Sequence, residues 1–157
     1  SAVRAVRKAL LTHHDGGSVR RPGYAPDLGN GDLVFTAGHL RTEKLFGFRV
    51  YDTLVGAEQL VAARDTDDGR LRAVVHSDES GPRRAGAIGA VAMDAAAHPG
   101  PLKLGLAGAG TQAWTQLWAI RSVRQVDEVT AASRRPERTE AFARRAAEEF
   151  GVAVRLP

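Results

Sequence analysis

The chain has 157 residues, 43% of them hydrophobic and 25% charged, with a formal net charge of +4. That balance excludes a disordered chain; no apolar run approaches the ~18 residues of a membrane span, and the Arg/Lys-bearing first residues lack the apolar core of a signal peptide. With no cysteine there is no disulfide framework, thiolate metal site or thiol nucleophile, and the expectation is a cytoplasmic, bacterial protein that does not enter a membrane.

Val3, Val6 and Leu10 are spaced three and four apart, which predicts a short helix over residues 2–11. Residues 13–30 are rich in Gly, Pro and Asp and read as loop. Four strands are expected next, over residues 32–40, 44–53, 58–65 and 70–76, as an antiparallel meander. Asp67-Asp68-Gly69 is a hairpin turn between the last two, because Gly accepts the positive φ such turns need. Residues 84–97 are nearly all small and predict a helix against which another backbone packs closely. His98-Pro99-Gly100-Pro101 ends it and marks a domain boundary, with residues 1–100 before it and 101–157 after.

From Leu102 the pattern becomes strand (102–107), helix (112–123), strand (128–132), helix (136–150) and strand (152–156). Such alternation implies parallel pairing through crossover helices. The fold class is therefore α/β: the first half of a Rossmann-type dinucleotide-binding unit behind an N-terminal α+β domain. The chain opens at Ser1 without Met and stops at Pro157 after an apolar run, as expected of a truncated piece.

Gly108-Ala109-Gly110-Thr111-Gln112-Ala113 fits G-x-G-x-x-A at the junction of strand and helix. Gly108 permits the tight turn, Gly110 bares the backbone where a pyrophosphate must approach, and Ala113 is small enough for close helix–strand packing. The amides of the first helical turn then face the phosphates with the positive end of the helix dipole behind them. At the end of the second strand, where a carboxylate would accept a bond from a ribose 2′-hydroxyl, the chain has Ser133-Arg134-Arg135. A hydroxyl and guanidinium groups suit a 2′-phosphate, so NADP(H) is expected in preference to NAD(H).

The segment from Gly81 to Ala92, the motif at residues 105–113 and Ser133-Arg134-Arg135-Pro136-Glu137-Arg138 together resemble the ornithine cyclodeaminase/mu-crystallin family. The resemblance covers roughly residues 18–157. It implies a dimerising substrate domain of antiparallel strands beside a Rossmann domain, in a homodimer. It also implies hydride transfer at the α-carbon of an amino or imino acid, by a cyclodeaminase, ketimine reductase or amino-acid dehydrogenase. Arg84 matches the family's arginine for the substrate carboxylate, and Arg49 falls where the family often has Lys beside the substrate. Thr111 and Gln112 fall at the pyrophosphate. Ala85 stands where a Thr is usual. Tyr24 falls near the place of an early-loop Arg, with Arg20 and Arg21 close by, and the family's catalytic Asp belongs to a second Rossmann half that this chain lacks. Arginine is no proton shuttle near neutral pH, so an NADP(H)-dependent binding protein without turnover, as mu-crystallin suggests, stands as the alternative.

The five histidines lack metal-ligand spacing, and no metal is expected. Trp114 and Trp118, four apart, read as packing or a subunit contact. Arg134, Arg135, Arg138, Arg144 and Arg145 interleave with Glu137, Glu140, Glu148 and Glu149, so they read as a solvated helix face and not a nucleic-acid surface.

Overall fold

The computed structural model describes residues 1–20, 23–54 and 58–156, and of Arg20 the backbone alone. The chain forms two compact units, one of Arg7–Gly81 and one of Ser1–Val6 with Pro82–Pro157. Among the described residues no helix is long and apolar enough to cross a membrane.

Helix α1 (Ala2–His14) runs one turn beyond expectation, and Val3 in its first turn joins the core of the second unit. The first unit is one antiparallel sheet in the order β1 (Ser18–Arg20), β2 (Leu33–Leu40), β3 (Leu45–Asp52), β4 (Gln59–Asp65) and β5 (Leu71–Ser77). The expected meander had four strands. The fifth, β1, comes from the expected loop and pairs Ser18 with Leu40 and Arg20 with Gly38. The β4–β5 turn is as expected: Gly69 has φ +68°, and the amides of Asp67 and Arg70 donate to the carboxylates of Asp65 and Asp68, each at 2.8 Å. Lys44, at the β2–β3 turn, has φ +53°. Its Nζ donates to Asp67 Oδ2 at 2.7 Å, and that bond, with the carboxylate's charge, raises the amine's pKa.

Strand alternation gives the sheet two faces. Val50 lies opposite Phe35 and Leu60, and Phe48 opposite Ala37 and Ala62. That apolar face leaves Phe35, Phe46 and Phe48 about two-fifths exposed. The other face carries Arg49, Tyr51 and Gln59, with Tyr51 directly opposite Gln59.

In the second unit α2 (Ser80–Ala96) leads to β6 (Leu102–Ala107), α3 (Thr111–Arg121), β7 (Val126–Ala132), α4 (Pro136–Phe150) and β8 (Val154–Arg155). The three strands are parallel in the order β6-β7-β8, the strand–helix alternation of a Rossmann-type unit. The core gathers Leu104, Leu117, Ile120, Val129 and Phe142. Helix α4 has the expected ends: Pro136 in its first turn and Gly151 in the left-handed region at φ +64°.

The small residues of α2 find their partner in α3. A Cβ on Gly86 would strike the backbone carbonyl of Thr115, and one on Gly89 would strike the side-chain amide of Gln116. Thus α2 packs with the parallel unit, although the change of element pattern falls at residues 100/101. Arg124 clasps the α2–β6 connection: its Nη2 donates to the carbonyls of His98 and Gly100 at 2.6 and 2.7 Å, and Nη1 lies 3.8 Å from Asp94.

Candidate functional site

The loop between β6 and α3 decides what the parallel unit can hold. Gly108 has φ +116°, a conformation that strains any residue with a Cβ. Its amide donates to the carbonyl of Ala132 at 2.7 Å, which ties the loop to the end of β7. Gly110 is different. Its φ of −101° suits any L-residue, and an added Cβ there would meet nothing within 4 Å. Neither backbone strain nor protein packing demands a glycine at 110, unlike Gly86 in α2.

Gly110 is also the N-cap of α3, and no side chain caps that end. The first intrahelical bond runs from the Trp114 amide to the Gly110 carbonyl at 3.0 Å. The preceding amides, at residues 111–113, are those a helix leaves without intrahelical partners. Ala113 itself packs on the core as expected, while Thr111 and Gln112 are exposed.

A cavity of about 640 Å³ opens beside this loop at the carboxyl ends of β6 and β7, lined by Gly108, Gly110, Ser133, Arg134, Arg135 and Arg138. In open parallel sheets ligands bind at this end. A second cavity, of about 360 Å³, adjoins it and is lined by Gly110, Thr111, Trp114, Arg138 and Arg145 among others. The residues singled out by motif therefore converge, with the exceptions of Gln112 and Ala113, which line neither cavity.

Ser133 does more for the protein than the motif implies. Its Oγ lies 2.8 Å from the Arg135 carbonyl and 2.9 Å from Thr139 Oγ1, and it accepts from the Arg135 amide at 3.2 Å. A hydroxyl has one proton, so that proton is engaged within the turn, and Ser133 fixes the backbone carrying Arg134 and Arg135. Both guanidinium groups are exposed, and neither has an ion-pair partner among the described residues. The sequence places Arg138 on a solvated helix face, whereas it lines both cavities, a position set by the fold.

The two candidate substrate residues lie in different units. Arg49 is on β3, where its Nη1 donates to Gln59 Oε1 at 3.3 Å and its guanidinium carbon lies 4.5 Å from the ring centre of Tyr51. Arg84 is exposed in the first turns of α2. Tyr24, near the expected place of a third arginine, pairs with Phe35 beside the sheet and is 70% exposed. Arg21 lies outside the described residues, as does the side chain of Arg20.

Trp114 is used within its own unit. It stacks on Phe150 at 4.6 Å, meets Phe142 edge-on at 5.7 Å and carries the Arg145 guanidinium 3.8 Å over its ring. Trp118 lies under Arg83 instead, at 5.3 Å. Both indoles pack against the core of the parallel unit, which is the packing expected of them. Among the described residues no three His, Asp or Glu side chains gather as metal ligands would.

The profile of the ornithine cyclodeaminase/mu-crystallin family matches residues 35–156. An L-lysine cyclodeaminase of Streptomyces rapamycinicus is 36% identical over 95 residues, 60% of this chain and 27% of that protein. Among solved structures, an archaeal alanine dehydrogenase dimer with bound NAD matches 99% of this chain and 50% of its own, with a TM-score of 0.90 and 25% identity. A lysine cyclodeaminase, whose structure concerns recognition of L-lysine, L-ornithine and L-2,4-diaminobutyric acid, matches with a TM-score of 0.78 and 26% identity. It too is matched over 99% of this chain, and over 48% of its own length. The chain thus spans about half the length of these solved relatives.

Proposed function

The chain belongs to the ornithine cyclodeaminase/mu-crystallin family, and from that premise we propose that it carries the phosphate-binding half of an NADP(H) site in an enzyme acting on amino or imino acids. The bare backbone at Gly110 carries the reading, because open space at a residue that needs no glycine is what a bound diphosphate requires. The arginines around the adjoining cavity favour a phosphorylated ribose over a plain one.

A bound nicotinamide supplies hydride chemistry: an imine gains a hydride at its α-carbon and a proton at nitrogen, or an amino acid loses both. This chain's residues hold the reactants. Arg84 offers an exposed planar fork for a substrate carboxylate. In the antiparallel unit Arg49, steadied by Gln59 and Tyr51, is the cation that the family resemblance assigns to the substrate. The whole protein acts as a homodimer, with the exposed aromatic face of the antiparallel sheet covered by a second copy.

The test is binding and turnover by the protein at its full natural length. NADPH is expected to bind more tightly than NADH, and NADPH absorbance to fall with cyclic imino acids or with keto acids plus an amine. Failure to bind either dinucleotide would end the proposal.

The binding-protein reading rests on the family resemblance at Arg49. It falls where the family often has Lys beside the substrate, an arginine is no proton shuttle near neutral pH, and its guanidinium is held by Gln59 and Tyr51. Tight NADPH binding with no turnover on any of these substrates would favour it.

A further inference from the structure

We propose that Arg138 decides between a phosphorylated and an unphosphorylated adenosine ribose at this site; the inference rests on the NADP(H) reading above. Arg138 lies in the first turn of α4 and is the arginine that lines both cavities, the one beside Ser133–Arg135 and the one beside Gly110 and Thr111. It stands between the strand end that would meet the ribose and the helix start that would meet the diphosphate.

Its helical neighbours explain why its charge is available. Side chains three and four positions apart meet on a helix. Farther along α4, Arg145 has Glu149 at i+4 and bonds it at 2.7 Å. Arg138 has Ala141 and Phe142 at those positions, while Arg134 and Arg135 precede the helix and line the same cavity. Among the described residues it has no carboxylate partner.

Three guanidinium groups therefore line one cavity, and among the described residues that line it there is no Asp or Glu, although Glu137 stands exposed in the same first turn of α4; like charges so placed repel. Meanwhile the Ser133 hydroxyl, the other expected phosphate ligand, is engaged with Arg135 and Thr139. A 2′-phosphate, with about −1.5 to −2 charges and three acceptor oxygens, relieves that repulsion and takes charge-assisted bonds. A 2′-hydroxyl does neither.

The experiment measures dissociation constants for NADPH and NADH by ligand fluorescence, on the wild type and on Arg138→Gln and Arg138→Lys, with the protein at its full natural length. A hydrogen bond to a charged group converts to about ten- to hundredfold in affinity. Arg138→Gln is expected to lose that much for NADPH and less than about threefold for NADH, with Arg138→Lys in between and thermal midpoints unchanged. Equal losses for both cofactors would place Arg138 on the shared diphosphate and overturn the inference, as would an unchanged NADPH-to-NADH ratio. A wild type that binds NADH more tightly overturns the NADP(H) reading itself, and the inference with it.

Discussion

Gln59 holds Arg49 from the neighbouring strand: its Oε1 accepts from Arg49 Nη1 at 3.3 Å, while its Nε2 fills the space that a Cβ on Gly81 would need. Gln59 is itself buried, 8% exposed, and directly opposite Tyr51, whose ring lies by the same guanidinium. A Gly at the start of α2, a buried amide and a candidate substrate-binding cation thus form one chain of contacts. Gly81→Ala is expected to push Gln59 aside and raise the KM for an amino or imino acid severalfold, while dinucleotide affinity stays unchanged. Unchanged KM in steady-state assays would show that Arg49 needs no such support.

Helix packing provides a sharper contrast. Either Gly86→Ala or Gly89→Ala gains about 1 kcal/mol of helix propensity. At Gly86 the new methyl meets the fixed carbonyl of Thr115, and overpacking costs about 1–3 kcal/mol or more, so a net loss is expected. At Gly89 it meets the end of the Gln116 side chain, which can swing away by giving up its 3.3 Å bond to the Ala85 carbonyl. That variant is expected within about 1 kcal/mol of wild type. Urea denaturation of both variants checks the order.

The two loop glycines separate in the same way. Gly108→Ala forces a Cβ onto φ +116° and is expected to cost about 1–2 kcal/mol. Gly110→Ala meets no protein atom, so the thermal midpoint should move by no more than the few tenths of a kcal/mol to about 1 kcal/mol that separate Gly from Ala at an N-cap. Dinucleotide affinity should nevertheless fall at least about tenfold, about 1.4 kcal/mol, because the methyl fills the space a diphosphate needs. A Gly110→Ala protein that binds NADPH normally would contradict the proposed site.

Arg124 ties α2 to β6 through two carbonyls and Asp94. A hydrogen bond to a charged group contributes about 1.5–3 kcal/mol, and the Arg124 side chain is only 14% exposed. Arg124→Ala is expected to lose about 2–3 kcal/mol in chemical denaturation, with NADPH affinity unchanged at temperatures where the protein stays folded.

Phe48 stands on the exposed apolar face of the antiparallel sheet, 43% exposed. If a second copy covers that face, Phe48→Asp leaves a buried, unpaired charge at the interface and should convert a dimer to monomers in light scattering. A variant that stays dimeric would move the interface elsewhere.

The sequence by itself determined the elements whose cause is local. Pro136 and Gly151 bound α4 because one fits only a first turn and the other accepts a left-handed end. Gly108 and Gly110 were legible because a tight turn and a bared backbone each ask for glycine at a fixed spacing. The resemblance to the family lay in the same motifs. Elements whose cause is remote were not legible. Ser18-Val19-Arg20 has one apolar residue and becomes a strand only because β2 offers it a free edge. The partner of α2 is α3, a fact set by the backbone approach at Gly86. Only the tertiary structure decided that Ser133 supports its own turn and that Arg138 reaches both cavities. Motif spacing records which residues lie near one another along the chain, whereas a side chain's availability to a ligand depends on the partners folding brings to it.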